Sequence, residues 1–423
     1  MKNYAIIGFG CAGYNAARAI RRTDPTGRIV VFDNTGQPPF NPMLTTYYAS
    51  DRLTLEGVFP FGTIEELKRQ LKIEYLAGTN VLRVDARLRT VETEDRKEIF
   101  DAILIATGAR AFVPGSLQNS GGNVFLMRTL SDAMRLRTYL ENHVVNQATV
   151  VGASMVGIKV AELLWRRNIH TTMVDSAPYL FPLAAYPSVA AVIQSRLTDL
   201  GIRQEYNAQV DSIEAGKVLL GDGREIPTEI VCLCIGTRAN VEIAANTQVI
   251  EGQGINVRRG IVVDECMRTS CSGIFAAGDC CEGKDLQSGK TEIIGLWANA
   301  AAQGECAGNN MAGNCSKYYG NFRHNITHFF DMDFIGLGDP SLAGESYHFE
   351  GKDYTVDMVK NHDRISSINI LGNYKISGIL KNHLLKQMIG GEASLTVMQQ
   401  ELLISQGMSR EFVELIGGDH SNG

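Results

Sequence analysis

Apolar residues in this chain follow two rhythms. Residues 4 to 8 form an unbroken apolar run that ends at Gly8, the pattern of a strand buried on both faces. Residues 13 to 22 then place small and apolar side chains at helical spacing, and Arg28–Phe32 reads as a second buried strand. The series returns at Ala148–Val151 (strand), Val156–Arg167 (helix) and Thr171–Val174 (strand), so two βαβ units stand about 140 residues apart. Two more buried runs, Asp101–Ala106 and Ile230–Ile235, each lead straight into a glycine. Past about Tyr318 the rhythm shortens to YTVDMV, ISSINIL and KISGIL, alternating segments expected of an antiparallel sheet. Ser394–Ile416 reads as a helical tail, so an α/β chain with a C-terminal α+β domain is expected.

Length and composition narrow the possibilities. With 423 residues, 44% of them apolar, the chain has enough apolar surface for two or three cores. A net charge of −6 without long runs of either sign offers no footprint for nucleic acid or an anionic membrane surface. The stretch YAIIGFG is broken by glycines and followed by Asn15, Arg18, Arg21 and Arg22, which suits neither a signal peptide nor a membrane span. Nine cysteines, an odd number in a chain of this size, fit a reducing compartment, and a cytoplasmic location is expected.

Each βαβ unit carries a glycine loop. Gly8-Phe9-Gly10-Cys11-Ala12-Gly13 gives GxGxxG between strand and helix, with Asp33 closing the next strand. The first glycine permits the turn, the second lets a pyrophosphate approach the backbone, and the third packs helix on strand. The helix start offers free N–H donors to the anion, and Asp33 would accept hydrogen bonds from an adenosine ribose. The second loop, Gly152-Ala153-Ser154-Met155-Val156-Gly157, has serine in the middle, and Asp175 closes the following strand. Asp175 would repel a 2′-phosphate, and no arginine stands from Ser176 to Leu180 to attract one, so NAD(H) is expected over NADP(H). Two Rossmann-like domains follow.

A longer motif goes further. Thr269-Ser-Cys-Ser-Gly-Ile-Phe-Ala-Ala-Gly-Asp279 resembles the second flavin signature of the pyridine nucleotide-disulfide oxidoreductase superfamily. The likeness extends through Ala106-Thr107-Gly108-Ala109, the LMRTLSD run over Leu126–Asp132, Ile235–Asn240 and Leu296–Gly304. It is greatest toward the flavin domains of NADH-dependent nitrite reductase and NADH oxidase. It is as great toward the flavoprotein subunits of anaerobic multisubunit enzymes such as phenylglyoxylate dehydrogenase and tungsten aldehyde oxidoreductase. The resemblance implies a glutathione-reductase-like fold. Residues 1–112 and 245–320 would form a discontinuous FAD domain, 113–244 the NAD domain, and 321–423 a C-terminal interface domain.

The resemblance also assigns residues. FAD would be held by Gly8, Gly10, Cys11, Ala12, Gly13, Asp33 and Asn34 of the first unit, with Asn41, Leu44, Thr45 and Val81 beyond it. The turn Ala106-Thr107-Gly108, Arg128, Gly278, Asp279, Leu296 and Trp297 complete that set. Asp279, at the end of an apolar strand, would accept hydrogen bonds from ribityl hydroxyls. NAD(H) would be held by Gly152, Ala153, Ser154, Met155, Val156, Gly157, Asp175 and Gly236. Trp297 aligns with residues near the flavin ring. Lys159 replaces a glutamate that lies beside the nicotinamide in the family; it could hold the carboxamide, pair with a flavin-side carboxylate or reach to solvent.

What is missing sets the chemistry. Disulfide reductases of the superfamily carry a redox cysteine pair after the first unit, and the peroxidase and coenzyme A disulfide branches carry one cysteine there. Pro38–Tyr48 of this chain contains no cysteine. Thiol chemistry at that face is therefore not expected, and the electrons need another outlet. Flavin can take hydride from NADH and release single electrons, which suits an iron–sulfur protein or subunit in a hetero-oligomer. The chain's own cysteines match neither ferredoxin spacing, and no metal is expected. A free-standing NADH oxidase or rubredoxin or ferredoxin reductase shares every motif. A redox-sensing flavoprotein that does not turn over is the third reading.

Overall fold

The two continuous apolar runs become central strands for a simple reason. In Asn3–Ile7 and Arg28–Asp33 successive side chains point to opposite faces, and both faces are covered. Tyr4, Ile6, Ile29 and Val31 face one core, while Ala5, Ile7, Val30 and Phe32 face another. The protein was analysed as a computed structural model that describes residues 1–117, 123–246, 254–362, 364–390 and 393–417. The domain ranges expected from the sequence run across the remaining positions, which lie outside the described residues.

The chain forms two compact units. The first comprises Met1–Ala111, Arg128–Leu130 and Thr237–Asn321. Its parallel sheet runs in the order Ile274–Ala276, Ala102–Ile105, Asn3–Ile7, Arg28–Asp33, Ile73–Ala77. Helices Cys11–Thr23 and Trp297–Ala312 pack backbone on backbone, because a Cβ at Gly304 or Gly308 would collide with the carbonyl oxygen of Ala12 or Ala16. A small antiparallel sheet of Arg83–Asp85, Thr90–Glu92 and Lys97–Ile99 belongs to the same unit. Glu74 bridges Arg28 and Arg96 and helps tie that sheet to the main one.

The second unit comprises Phe112–Met127, Ser131–Gly236 and Phe322–Gly423. Its parallel sheet has the order Arg203–Glu205, His170–Val174, Gln147–Val151, Ile230–Leu233, Asn123–Leu126. A five-stranded antiparallel sheet follows, ordered His324–Phe329, Met332–Gly338, Arg364–Leu371, Thr355–Asn361, Glu345–Glu350. The buried Asn369 side chain accepts from Tyr186 N at 2.8 Å and donates to the Ala184 carbonyl at 2.9 Å, fastening the loop after His170–Val174 to that sheet. The fold is thus α/β, with two Rossmann-like sheets and a C-terminal α+β region.

YTVDMV and ISSINIL lie in strands as their alternation suggests, but KISGIL does not. It spans a helical turn, Tyr374–Ile376, and the start of helix Ser377–Met388. Ile376, Leu380 and Leu384 are all fully buried at spacings of four, a helical stripe that a six-residue window is too short to reveal. The tail is two helices, Val397–Ser405 and Arg410–Gly417, separated at Gly407 with its φ of +95°.

Candidate functional site

The first glycine loop is built on collisions avoided. Gly8 has φ of +96°, and a Cβ there would strike the Ala106 carbonyl. A Cβ at Gly13 would strike the Gly8 carbonyl. Gly10 is different: its φ is −78° and a Cβ would meet nothing within 4 Å. Among the described residues none would obstruct a side chain there, so packing does not require glycine at this position. The helix that Gly10 starts has no side-chain cap, so its first-turn N–H groups remain available to an anion. Cys11 and Ala12 are buried just inside it. These features fit a dinucleotide pyrophosphate.

Asp33 organises the loop. Its Oδ2 accepts from Phe9 N at 2.9 Å, and Oδ1 accepts from Thr35 N at 2.9 Å, Thr35 Oγ1 and Gly36 N at 3.0 Å. The Tyr75 hydroxyl stands 3.2 Å from the same Oδ1. Burial pushes the Tyr75 pKa well above the usual phenol range and the Asp33 charge adds to it, so Tyr75 remains a donor. Of the two carboxylate oxygens, Oδ2 carries the fewer of these bonds. Asn34 beside it is exposed.

Further residues gather in this unit. Thr107 Oγ1 donates to the Asn240 carbonyl at 2.6 Å, and Asn240 returns bonds to the Thr107 and Gly108 carbonyls, which fixes the Ala106–Gly108 turn. Gly278 has φ of +85°, and its N–H donates to Gln303 Oε1 at 2.9 Å, setting the direction of Asp279. Arg128 pairs with Asp279 at 2.6 Å and donates to the Ala109 carbonyl at 3.1 Å. Leu296 is the N-terminal boundary of helix Trp297–Ala312, which also lacks a side-chain cap. The Cys11 thiol donates to the Trp297 carbonyl at 3.4 Å, joining the starts of the two helices. Asn41 caps a turn over Pro42–Leu44, and Thr45 Oγ1 donates to the Pro42 carbonyl at 2.6 Å. Val81 packs against the core below the sheet.

The loop of the second unit repeats the design with one change. Gly152 has φ of +107°, a Cβ at Gly157 would strike the Gly152 carbonyl, and Asp175 Oδ2 accepts from Ala153 N at 2.6 Å. Ala153 therefore stands to Asp175 as Phe9 stands to Asp33. Ser154, at the place of the middle glycine, turns its hydroxyl inward, accepting from Gly157 N at 3.1 Å and donating to the Cys234 carbonyl at 2.9 Å. It caps the helix that begins with Met155 and Val156. Gly236, at φ of +101°, accepts from Phe112 N through its carbonyl. Lys159 does not reach solvent: its side chain is only 4% exposed and lies 3.6 Å from buried Glu162, which also takes Arg166 at 2.8 Å.

Eight of the nine thiols are buried. All nine cysteines are free, and Cys315 alone is exposed. Burial pushes the Cys11 thiol up to about 12, so it is protonated at neutral pH, and Cys280 is raised by burial too. Among the described residues no group of three or more His, Cys, Asp or Glu side chains could hold a metal. Among them, too, no helix is long and apolar enough to cross a membrane.

Two such loops, one per parallel sheet and each clamped by an aspartate, define an oxidoreductase built to hold two dinucleotides. The chain belongs to the pyridine nucleotide-disulphide oxidoreductase family, whose pattern matches residues 2–304. It is an FAD-dependent NAD(H) oxidoreductase. It is 26% identical to an NADH oxidase of Methanocaldococcus jannaschii over 88% of each chain. It is also 26% identical to the epsilon subunit of the NADH-dependent phenylglyoxylate dehydrogenase of Aromatoleum evansii, over 80% of each. Putidaredoxin reductase in its covalent complex with putidaredoxin has the same fold, with a TM-score of 0.83 at 21% identity over 96% of this chain and 99% of that one.

Sequence reasoning missed Tyr75, Gln303 and Glu162, and gave Asn240 no role. Each acts through a hydrogen bond or ion pair to a motif residue, and only the Lys159–Glu162 spacing of three could have been read from the chain.

Proposed function

We propose that this chain is the NADH-linked flavoprotein of a larger cytoplasmic redox enzyme, exchanging electrons with an iron–sulfur partner protein or subunit. FAD, when bound, takes hydride from NADH and gives up electrons singly. The chain's part is to hold and orient. The Gly8–Gly13 loop and its uncapped helix would receive the FAD pyrophosphate, Asp33 and exposed Asn34 would hold the ribose, and Asp279, turned by Gln303 and paired with Arg128, would receive the ribityl chain. Leu296 and Trp297 border the ring, and Asn41, Leu44, Thr45 and Val81 line the remainder. Gly152–Gly157, Asp175 and Gly236 hold NAD(H). Lys159 is buried on the helix behind that loop and pairs with Glu162 of the same helix.

The observation that carries this reading is the lack of a usable thiol in Pro38–Tyr48 and at Cys11. Pro38–Tyr48 contains no cysteine and the Cys11 thiol stays protonated, so thiolate chemistry with the flavin has no nucleophile. The phenylglyoxylate dehydrogenase subunit supports a multisubunit role. The M. jannaschii relative favours a second reading, a free-standing NADH oxidase. Anaerobic reduction by NADH followed by oxidised [2Fe–2S] ferredoxin, with a parallel assay of NADH-driven oxygen consumption in air, separates the two. Transfer to the cluster with slow consumption of oxygen is expected; rapid oxygen consumption and no cluster reduction would favour the oxidase.

A further inference from the structure

A column of aromatic rings leads away from the cradle of the first unit. Its inner end is Trp297, whose carbonyl receives the thiol of Cys11 from the glycine loop. Phe61 stacks on Trp297 with ring centres 5.8 Å apart and planes 15° apart. Tyr14 stacks on Phe61 at 3.9 Å and 17°. Arg18, one helical turn beyond Tyr14, is exposed and sets its guanidinium carbon 5.8 Å from the Tyr14 ring centre. The three rings are all partly buried against the core of this unit, Tyr14 also meeting Phe9 edge-on at 6.4 Å, and exposed Arg18 lies at the Tyr14 end of the column.

Packing alone does not account for this arrangement. Aliphatic side chains fill such a gap equally well, and a ring pair adds only about 0.5–1.5 kcal/mol over area burial. Near-parallel π-systems in series are, however, a good medium for electron tunnelling, which weakens steeply with the distance spanned through empty space or solvent. A cation at the outer end attracts an acidic protein surface and fixes its register there.

Resting on the reading that electrons pass to an iron–sulfur protein, we propose that Trp297, Phe61 and Tyr14 form the path between flavin and partner, with Arg18 marking the contact for an acidic iron–sulfur protein. The electrons balance simply. NADH supplies two, each of two clusters takes one, and NAD⁺ and one proton are released. The rings accept no net charge and serve as the medium between donor and acceptor.

The test compares Phe61→Leu and Tyr14→Leu with the ring-preserving Phe61→Tyr and Tyr14→Phe, using oxidised [2Fe–2S] ferredoxin as probe. Anaerobic flavin bleaching by NADH should stay within about twofold in all four. Reoxidation of the flavin by ferredoxin should fall at least tenfold in the leucine variants and stay within about threefold in the others. Arg18→Glu should raise the ferredoxin Kd, measured by calorimetry without turnover, at least fivefold at low salt, and the difference should vanish at high salt. Leucine variants that reoxidise as fast as the parent, or a charge reversal without effect on Kd, would overturn the path. A parent protein that bleaches with NADH but never reduces ferredoxin would overturn the functional reading beneath it.

Discussion

Gly10 and Gly13 differ by three positions, and the structure gives them opposite surroundings. Gly13→Ala drives a methyl into the Gly8 carbonyl and should destabilise even the apoprotein by about 1–3 kcal/mol. Gly10→Ala meets nothing in the chain, so apoprotein melting should be unchanged while FAD affinity falls at least tenfold; calorimetric melting and FAD titration separate the two. The glycine spacing was legible because it follows from local backbone sterics, but which glycine serves the chain and which the ligand was not. Asp33 likewise reads as a ribose acceptor, whereas in the fold it also holds Phe9, Thr35 and Gly36. His324 shows what sequence conceals: burial, with the Lys381 charge adding, lowers its pKa from 6.5 to about 4. The unfolded chain then binds the proton first, so stability is full above pH 6.5 and is lost as pH falls toward about 4, a total on the order of 3 kcal/mol. A falling Tm between pH 7 and 5, flattened in His324→Gln, is the expected result, in a window that most carboxylates do not reach.

At the scale of elements, the pair of helices Cys11–Thr23 and Trp297–Ala312 decides whether the cradle forms. Their contact rests on Gly304 against Ala12 and Gly308 against Ala16. Gly304→Val should cost about 2–3 kcal/mol or more and yield protein without bound FAD, checked by denaturant unfolding and flavin content. The strands and first helices were legible because burial on both faces leaves continuous apolar runs. The pairing of two helices almost 300 residues apart was not, since a small-residue stripe reads the same whether it meets a helix or a sheet. KISGIL failed as a strand for a related reason: six residues fit both periods, and only Leu384 breaks the tie.

At the scale of the molecule, two glycine loops stand one to each parallel sheet, and we propose that Asp175 sets the preference of the second. Its Oδ2 accepts from Ala153 N and its Oδ1 from Ala177 N, and on that reading its charge would disfavour a 2′-phosphate. Asp175→Ala should narrow the ratio of kcat/KM for NADH over NADPH at least tenfold. The twofold βαβ pattern made this division readable from the sequence, but the grouping of the C-terminal sheet with residues 131–236 was not, because it depends on side-chain contacts such as Asn369 with Tyr186. The central claim is that electrons pass from NADH through FAD to an iron–sulfur acceptor without a thiol intermediate. The most direct measurement is anaerobic stopped-flow of the iodoacetamide-treated, FAD-loaded protein with NADH and then oxidised [2Fe–2S] ferredoxin. Flavin bleaching and cluster reduction, each faster than about 1 per second and unchanged by alkylation, are predicted; slower bleaching, or transfer abolished by alkylation, would contradict the account.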